Sequence, residues 1–390
     1  MSWRGLQACS ISILLVLLAP WSALGQLTAA EHLPSVGDAP ADPGPIASDL
    51  SGALEPQAIR AAMKKVADWQ NARILDSPSQ DWTFATLYVG LLAASQTLDD
   101  PRYRNTVEHV AEHFRWELGP RKTHADDQAI GQAYLELDSQ HPAAVDLQSL
   151  QAQFNEIMQQ PDDPAKPVWW WCDALFMAPP VWAGLSAETH DAKYLNYMDH
   201  EWRITSDLLW DRKQHLFYRD KSYFDKHEKN GSSIFWSRGN GWVMGGLVGV
   251  LEAMPLDDPR RPFYVDKFKE LAASVEKIQG SDGLWRPGLL DAESYPLPEV
   301  SGSAFFVYAM AWGINHHLLA EKHYRPVVAR GWAGLVRHIY SDGRLGCIQP
   351  VGAAPGAYTA GASYVFGTGA FLLAGSQVEQ LSVNGKSKKR

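Results

Sequence analysis

The chain has 390 residues, 46% of them hydrophobic and 20% charged, with a formal net charge of −9. That balance excludes a disordered chain, and no basic stripe argues for a nucleic-acid partner. Sixteen Trp residues supply apolar plates with a polar edge, suited to stacking on sugar rings as well as to core packing.

The N-terminus reads as an export signal over residues 1–25. Arg4 precedes an apolar run, Ile11–Leu18, which Pro20 breaks, and Ala23-Leu24-Gly25 has the small–x–small form of a cleavage site. The run is too short for a membrane span, so export to the periplasm or the medium is expected, with no stable membrane insertion afterwards. Residues 26–55, rich in Pro, Ala, Asp and Gly, read as a linker. From Pro56 the pattern turns helical, with Met63, Val66 and Trp69 at helical spacing in Ala58–Ala72.

A loose repeat follows. Apolar segments rich in small residues begin near Phe84, Gln128, Ala174, Trp242, Ser303 and Gly367, roughly 45–70 residues apart. Amphipathic partners such as Tyr194–Trp210 and Phe263–Ile278 follow most of them. The pattern predicts helical hairpins with the apolar helices inside. By itself it leaves open an open solenoid or a non-repeating bundle. Leu216–Asp220 and Ser233–Trp236 read as two strands of an inserted β-hairpin around Asn230-Gly231. Residues 382–390 end the chain as a basic tail. Cys172 and Cys347 read as two buried thiols rather than a bridge, and no cysteine or histidine spacing suggests a metal.

Three stretches carry chemistry. In Trp169-Trp170-Trp171-Cys172-Asp173-Ala174-Leu175-Phe176-Met177 an acid follows three Trp and opens an apolar helix. Asp173 is either a helix N-cap or a carboxyl whose aromatic surroundings raise its pKa, as a general acid needs. His124-Ala125-Asp126-Asp127 opens another inner helix, and of its two acids at most one enters a pocket. Together with Asp173 it makes the carboxylate pair on which glycosidases commonly rely. In Trp236-Ser237-Arg238-Gly239-Asn240-Gly241-Trp242 a guanidinium fork suited to a carboxylate stands between two stacking faces. Asp81-Trp82-Thr83 is a lesser signal at the first inner helix.

These stretches, with Gly283-Leu284-Trp285-Arg286 and Ser301-Gly302-Ser303-Ala304, resemble the unsaturated rhamnogalacturonyl and glucuronyl hydrolases of glycoside hydrolase families 105 and 88, from about Ala58 to Leu381. The resemblance implies an all-α (α/α)6 barrel over residues 56–381 and removal of a terminal 4,5-unsaturated uronic acid from lyase-generated oligosaccharides. No metal or organic cofactor is implied. Asp173 matches the family's proton donor, with Trp171 and Met177 as pocket neighbours. Asp126 matches the second acid, with Asp127 as the fallback. Trp236, Arg238, Asn240 and Trp242 match ligand-contacting positions, and Trp82 an aromatic platform. One departure stands out: after Phe217-Tyr218, where many members carry His, this chain has Arg219, able to hold a carboxylate or a different neighbouring sugar, or to pair with Asp220. Alternatives are another toroidal glycosidase on saturated sugars, a sugar epimerase, or a carbohydrate-binding protein without turnover.

Overall fold

In the computed structural model the described residues are 37–140, 147–160, 163 and 166–387. The expected signal segment, residues 26–36 and residues 388–390 lie outside them.

Helices alternate between two roles along the chain. The outer α1 (Pro56–Ile74) starts with proline at its first turn, where the missing N–H has no partner to lose, and buries Ile59, Met63, Val66 and Ile74 on one stripe. The inner α2 (Trp82–Leu98) is followed by the outer α3 (Pro101–His113). A short α4 (Ala125–Gln128) leads into the inner α5 (Gly131–Gln140), then the outer α6 (Leu147–Ile157). Likewise α7 (Ala174–Met177) leads into the inner α8 (Pro179–Thr189), then the outer α9 (Ala192–Leu209). The inner α10 (Ser237–Ala253), outer α11 (Arg261–Lys277), inner α12 (Val300–Asn315), outer α13 (Glu321–Val336) and inner α14 (Val365–Ser387) complete the series.

The inner helices pack in a cycle: α2 on α5, α5 on α8, α8 on α10, α10 on α12, α12 on α14, and α14 back on α2. The six apolar segments of the sequence are these six helices, and the ring they close is an (α/α)6 barrel. Helices buried on all sides must be apolar all round; α12 buries every residue from Val300 to Ile314 except Tyr308. Closure requires backbone-to-backbone approach. A Cβ added to Gly369 of α14 would lie 2.2 Å from the Thr86 carbonyl oxygen of α2. One added to Gly246 of α10 would lie 2.0 Å from that of Leu175.

Two-residue strands form two small antiparallel ribbons. The strands are β1 (Gly37–Asp38), β2 (Trp210–Asp211), β3 (Leu216–Phe217) and β4 (Ser363–Tyr364), with β1 on β4 and β2 on β3. The hairpin expected around Asn230-Gly231 is therefore corrected: Leu216–Phe217 pairs backwards, with Trp210–Asp211. The turn that does this is built by Asp211, whose Oδ1 accepts from the amides of Lys213 (2.9 Å) and Gln214 (2.8 Å). Ser233 and Trp236 instead bridge His227 and Gly288.

The expected linker also differs from residue 37 onward. Besides β1, the Ala47 amide donates to the Ile339 carbonyl (2.9 Å) and the Pro45 carbonyl accepts from Ser341 (2.9 Å). The basic tail is helical through Ser387 as the end of α14, where the Ser382 hydroxyl donates to the Leu54 carbonyl at 2.6 Å. Cys172 and Cys347 are free and buried. Among the described residues, no helix is long and apolar enough to cross a membrane.

Gly369→Ala should lower unfolding free energy by about 1–3 kcal/mol through overpacking at the α2–α14 contact. Chemical denaturation measures it; an unchanged midpoint would show that the two backbones can separate at no cost.

Candidate active site

Asp173 and Asp126 meet where α4 and α7 touch. Asp173 occupies the N-cap position of α7, yet its side chain caps nothing. Its Oδ2 lies 3.4 Å from the Cys172 Sγ and 3.6 Å from the Arg219 Nε. Only 8% of the residue is exposed. Burial pushes its carboxyl above the ordinary carboxylate range, while the Arg219 and Arg238 guanidinium groups oppose that rise.

Asp126 sits in the first turn of α4, and His124 does the capping there: its Nδ1 accepts from the Asp126 amide at 3.3 Å. Burial first, and the charge of Asp173 second, push the Asp126 carboxyl up to about 7, against the pull of Arg121, whose Nη2 is 3.9 Å away. Burial thus disfavours the ionised form of both acids, and ionising one hinders ionising the other. The Trp171 ring, 4% exposed, packs on the His124 ring with centroids 4.8 Å apart and walls this corner.

Several expected ligand contacts lie underneath this pair instead. Arg238 is 0% exposed. Its Nη1 donates to the Gln349 carbonyl (2.6 Å) and its Nη2 to the Pro350 carbonyl (2.7 Å). Trp236 and Phe366 sandwich the guanidinium, at 4.4 and 4.8 Å. With both ends of its fork occupied, Arg238 pins the loop around Gln349 to α10. Trp236 is itself buried, its indole N–H given to the Gln349 side chain at 2.9 Å. Asn240 is buried and clamps the backbone of Phe217, accepting from its amide (2.8 Å) and donating to its carbonyl (3.1 Å).

Trp242 and Met177 are core residues, 0% and 1% exposed. Asp127 is spent on Arg121, accepting from its backbone amide at 2.7 Å and its guanidinium at 2.5 Å, which closes the loop before α4. Trp236, Arg238, Asn240, Trp242, Met177 and Asp127, expected to contact ligand, are thus each buried and engaged within the protein. Trp82 is half-buried, stacked on Phe366 (5.7 Å) and edge-on to Trp242 (6.0 Å), so it keeps one face at the mouth.

Sequence reasoning missed several residues that finish the site. Glu299, 0% exposed, accepts from Ser301, Gly302 and Gln349 amides and stands 3.9 Å from Arg238. Trp170 keeps 46% of its surface exposed between two buried Trp neighbours, offering a plate against the Arg219 guanidinium. Tyr223 feels the charges of Asp220, Arg219 and Asp173. A Trp triplet signals an aromatic wall, but nothing in it singles out the exposed member.

A cavity of about 820 Å³ opens at the opposite ends of the inner helices, lined by Gln132, Glu136, Glu252, Tyr308 and others. None of the paired acids reaches it. His109 and His113 lie one turn apart on the outer α3 and are exposed; among the described residues no group of three metal-ligating side chains gathers.

A wall of Trp beside one buried and one half-buried acid at the mouth of a closed helical ring is the arrangement of a carbohydrate-cleaving enzyme. The chain belongs to glycosyl hydrolase family 88, whose pattern matches residues 57–382, and it is a glycoside hydrolase. It is 39% identical over 343 residues to the unsaturated 3S-rhamnoglycuronyl hydrolase of Formosa agariphila, covering 83% of this chain and 91% of that one. A solved family 88 glycosyl hydrolase from Bacteroides vulgatus superposes with a TM-score of 0.79 at 28% identity, covering 84% of this chain and 99% of that one. A solved polysaccharide lyase superposes with a TM-score of 0.76 at 31% identity, over 83% of this chain and 96% of that one.

Arg238→Ala should destabilise the fold by about 3–5 kcal/mol, because Glu299 is left buried without its cation. Thermal unfolding together with KM tests this: a wild-type melting temperature with a raised KM would restore the ligand-binding role.

Proposed function

We propose that this enzyme removes a terminal 4,5-unsaturated uronic acid from an oligosaccharide, with Asp173 as proton donor. The observation that carries the reading is a carboxyl at a helix N-cap that does not cap, its pKa raised by burial beside a second raised acid. Such a group suits an enol ether. Asp173 gives its proton to C4, the C4=C5 electrons form that bond, and the ring oxygen supports the positive charge left at C5. Water adds at C5 and returns a proton to the carboxylate. The hemiketal then opens, releasing the next sugar. Asp126, protonated up to about 7, hydrogen-bonds the sugar and keeps a second negative charge away from the donor. Trp82 and Trp170 supply plates for the rings. The name of the Formosa agariphila relative supports a rhamnose-linked uronate as substrate. The signal-like N-terminus supports export.

The polysaccharide lyase neighbour favours a second reading, eliminative cleavage of a saturated uronide. Absorbance at the conjugated-alkene band separates the two: hydration of lyase-generated oligosaccharides removes the band, and elimination creates it. Loss of the band on no unsaturated uronide tried would overturn the proposal.

Asp173→Asn should reduce turnover by roughly two to four orders of magnitude with the fold intact; near-wild-type turnover would remove Asp173 from the mechanism. Activity should fall as pH rises and the coupled acids Asp173 and Asp126 ionise, Asp126 at about 7. The same group makes a stability prediction. Its folded pKa lies above its unfolded value, so its stabilisation is complete at low pH and is lost as pH rises through about 7. Asp126→Asn should therefore gain on wild type in melting temperature between pH 4.5 and pH 7.5. A constant difference across that range would show an ordinary carboxyl.

A further inference from the structure

We propose that Arg219, held between Asp220 and Asp173, is a positioning residue that governs how readily Asp173 releases its proton, and that Asp220 limits this action by holding the guanidinium back. The inference rests on Asp173 as the donor. Arg219 Nη1 donates to Asp220 Oδ2 at 2.7 Å, a full charge-assisted bond. Its Nε faces Asp173 Oδ2 at 3.6 Å, which is beyond hydrogen-bond length. That Nε is buried and has no hydrogen-bond partner. A buried guanidinium N–H left without a partner gains one when the acid it faces becomes a carboxylate. The contact is weak before proton transfer and strong after it, so it stabilises the charge that develops in the transition state.

Three features hold the arm in this poised position. The Arg219 carbonyl accepts from the Cys172 amide at 2.8 Å, tying the two backbones together next to the acid. Trp170 lies against the guanidinium at 5.3 Å. Asp220 is itself fixed, its Oδ1 accepting from the Ser222 amide at 2.8 Å. The other charged or titratable groups facing Asp173 are Arg238 of α10 from below, Asp126 of α4 across the site, the Cys172 thiol next to it, and Tyr223 from the turn after β3. Of these, Arg219 is the nearest cation, and an arginine, unlike the histidine the family resemblance leads one to expect near here, is charged at every working pH.

The test is a set of pH–rate profiles for Arg219→Met, Arg219→Lys and Asp220→Asn, with the Asp173 carboxyl titrated separately by infrared difference against Asp173→Asn. Arg219→Met should cut kcat at least about tenfold and move the alkaline limb and the carboxyl titration up by about one pH unit. Arg219→Lys should restore most of the limb. Asp220→Asn, which removes a negative charge and frees the guanidinium, should move both to lower pH. A merely structural role lowers activity without moving either. A carboxyl titration indifferent to Arg219→Met and Asp220→Asn overturns the proposal. A responsive carboxyl in a protein whose Asp173→Asn variant stays active would uphold this coupling and sink the donor assignment alone.

Discussion

Six helices can share one ring only if neighbouring backbones touch, and this close approach is the constraint on which the rest of the molecule depends. Gly90 and Gly369 let α2 and α14 meet, and Gly246 lets α10 lie on the carbonyl of Leu175. The last contact matters most for chemistry. Leu175 belongs to the single turn α7, so the residue that opens α7, Asp173, is placed by the packing of α10 against it. The position of the acid is inherited from closure of the ring.

The ring also fixes the floor of the site through buried charge. Arg238 on α10, Glu299 at the start of α12 and the carbonyls of Gln349 and Pro350 form one dehydrated cluster. A buried ion pair gives little net stability compared with apolar packing. Here its return is geometric, since it joins two inner helices and a loop at the depth where Asp173 sits. Its positive member also restrains the rise in the Asp173 carboxyl's pKa. Floor and acid are therefore electrostatically one unit.

Two neighbouring acids that resist ionisation are a standing cost to the fold, because each would be charged at neutral pH in the unfolded chain. The large apolar ring offsets that cost. The arrangement makes sense for an enzyme whose first step is protonation of a carbon: the proton must be held in reserve, and a cation must stand ready to receive the charge left behind.

Much of this architecture was legible in the residues. Apolar, small-residue segments recurring through the chain are what a fully buried inner helix requires, and they located all six. Asp173 was recognisable because three aromatic neighbours desolvate whatever acid follows them. The failures share a cause. Arg238 reads as a ligand-binding fork until Gln349, 111 residues further on, is seen to occupy it. Asp127 reads as a fallback pocket acid until Arg121 is seen to fold back on it. Leu216–Phe217 has strand character, but its partner was chosen by the Asp211 turn. Sequence determined which groups were polar, apolar or able to turn, since those are properties of single residues and their near neighbours. Tertiary structure alone decided which polar groups remained without a partner and faced the mouth, because satisfaction of a buried donor or acid depends on what distant chain is packed against it.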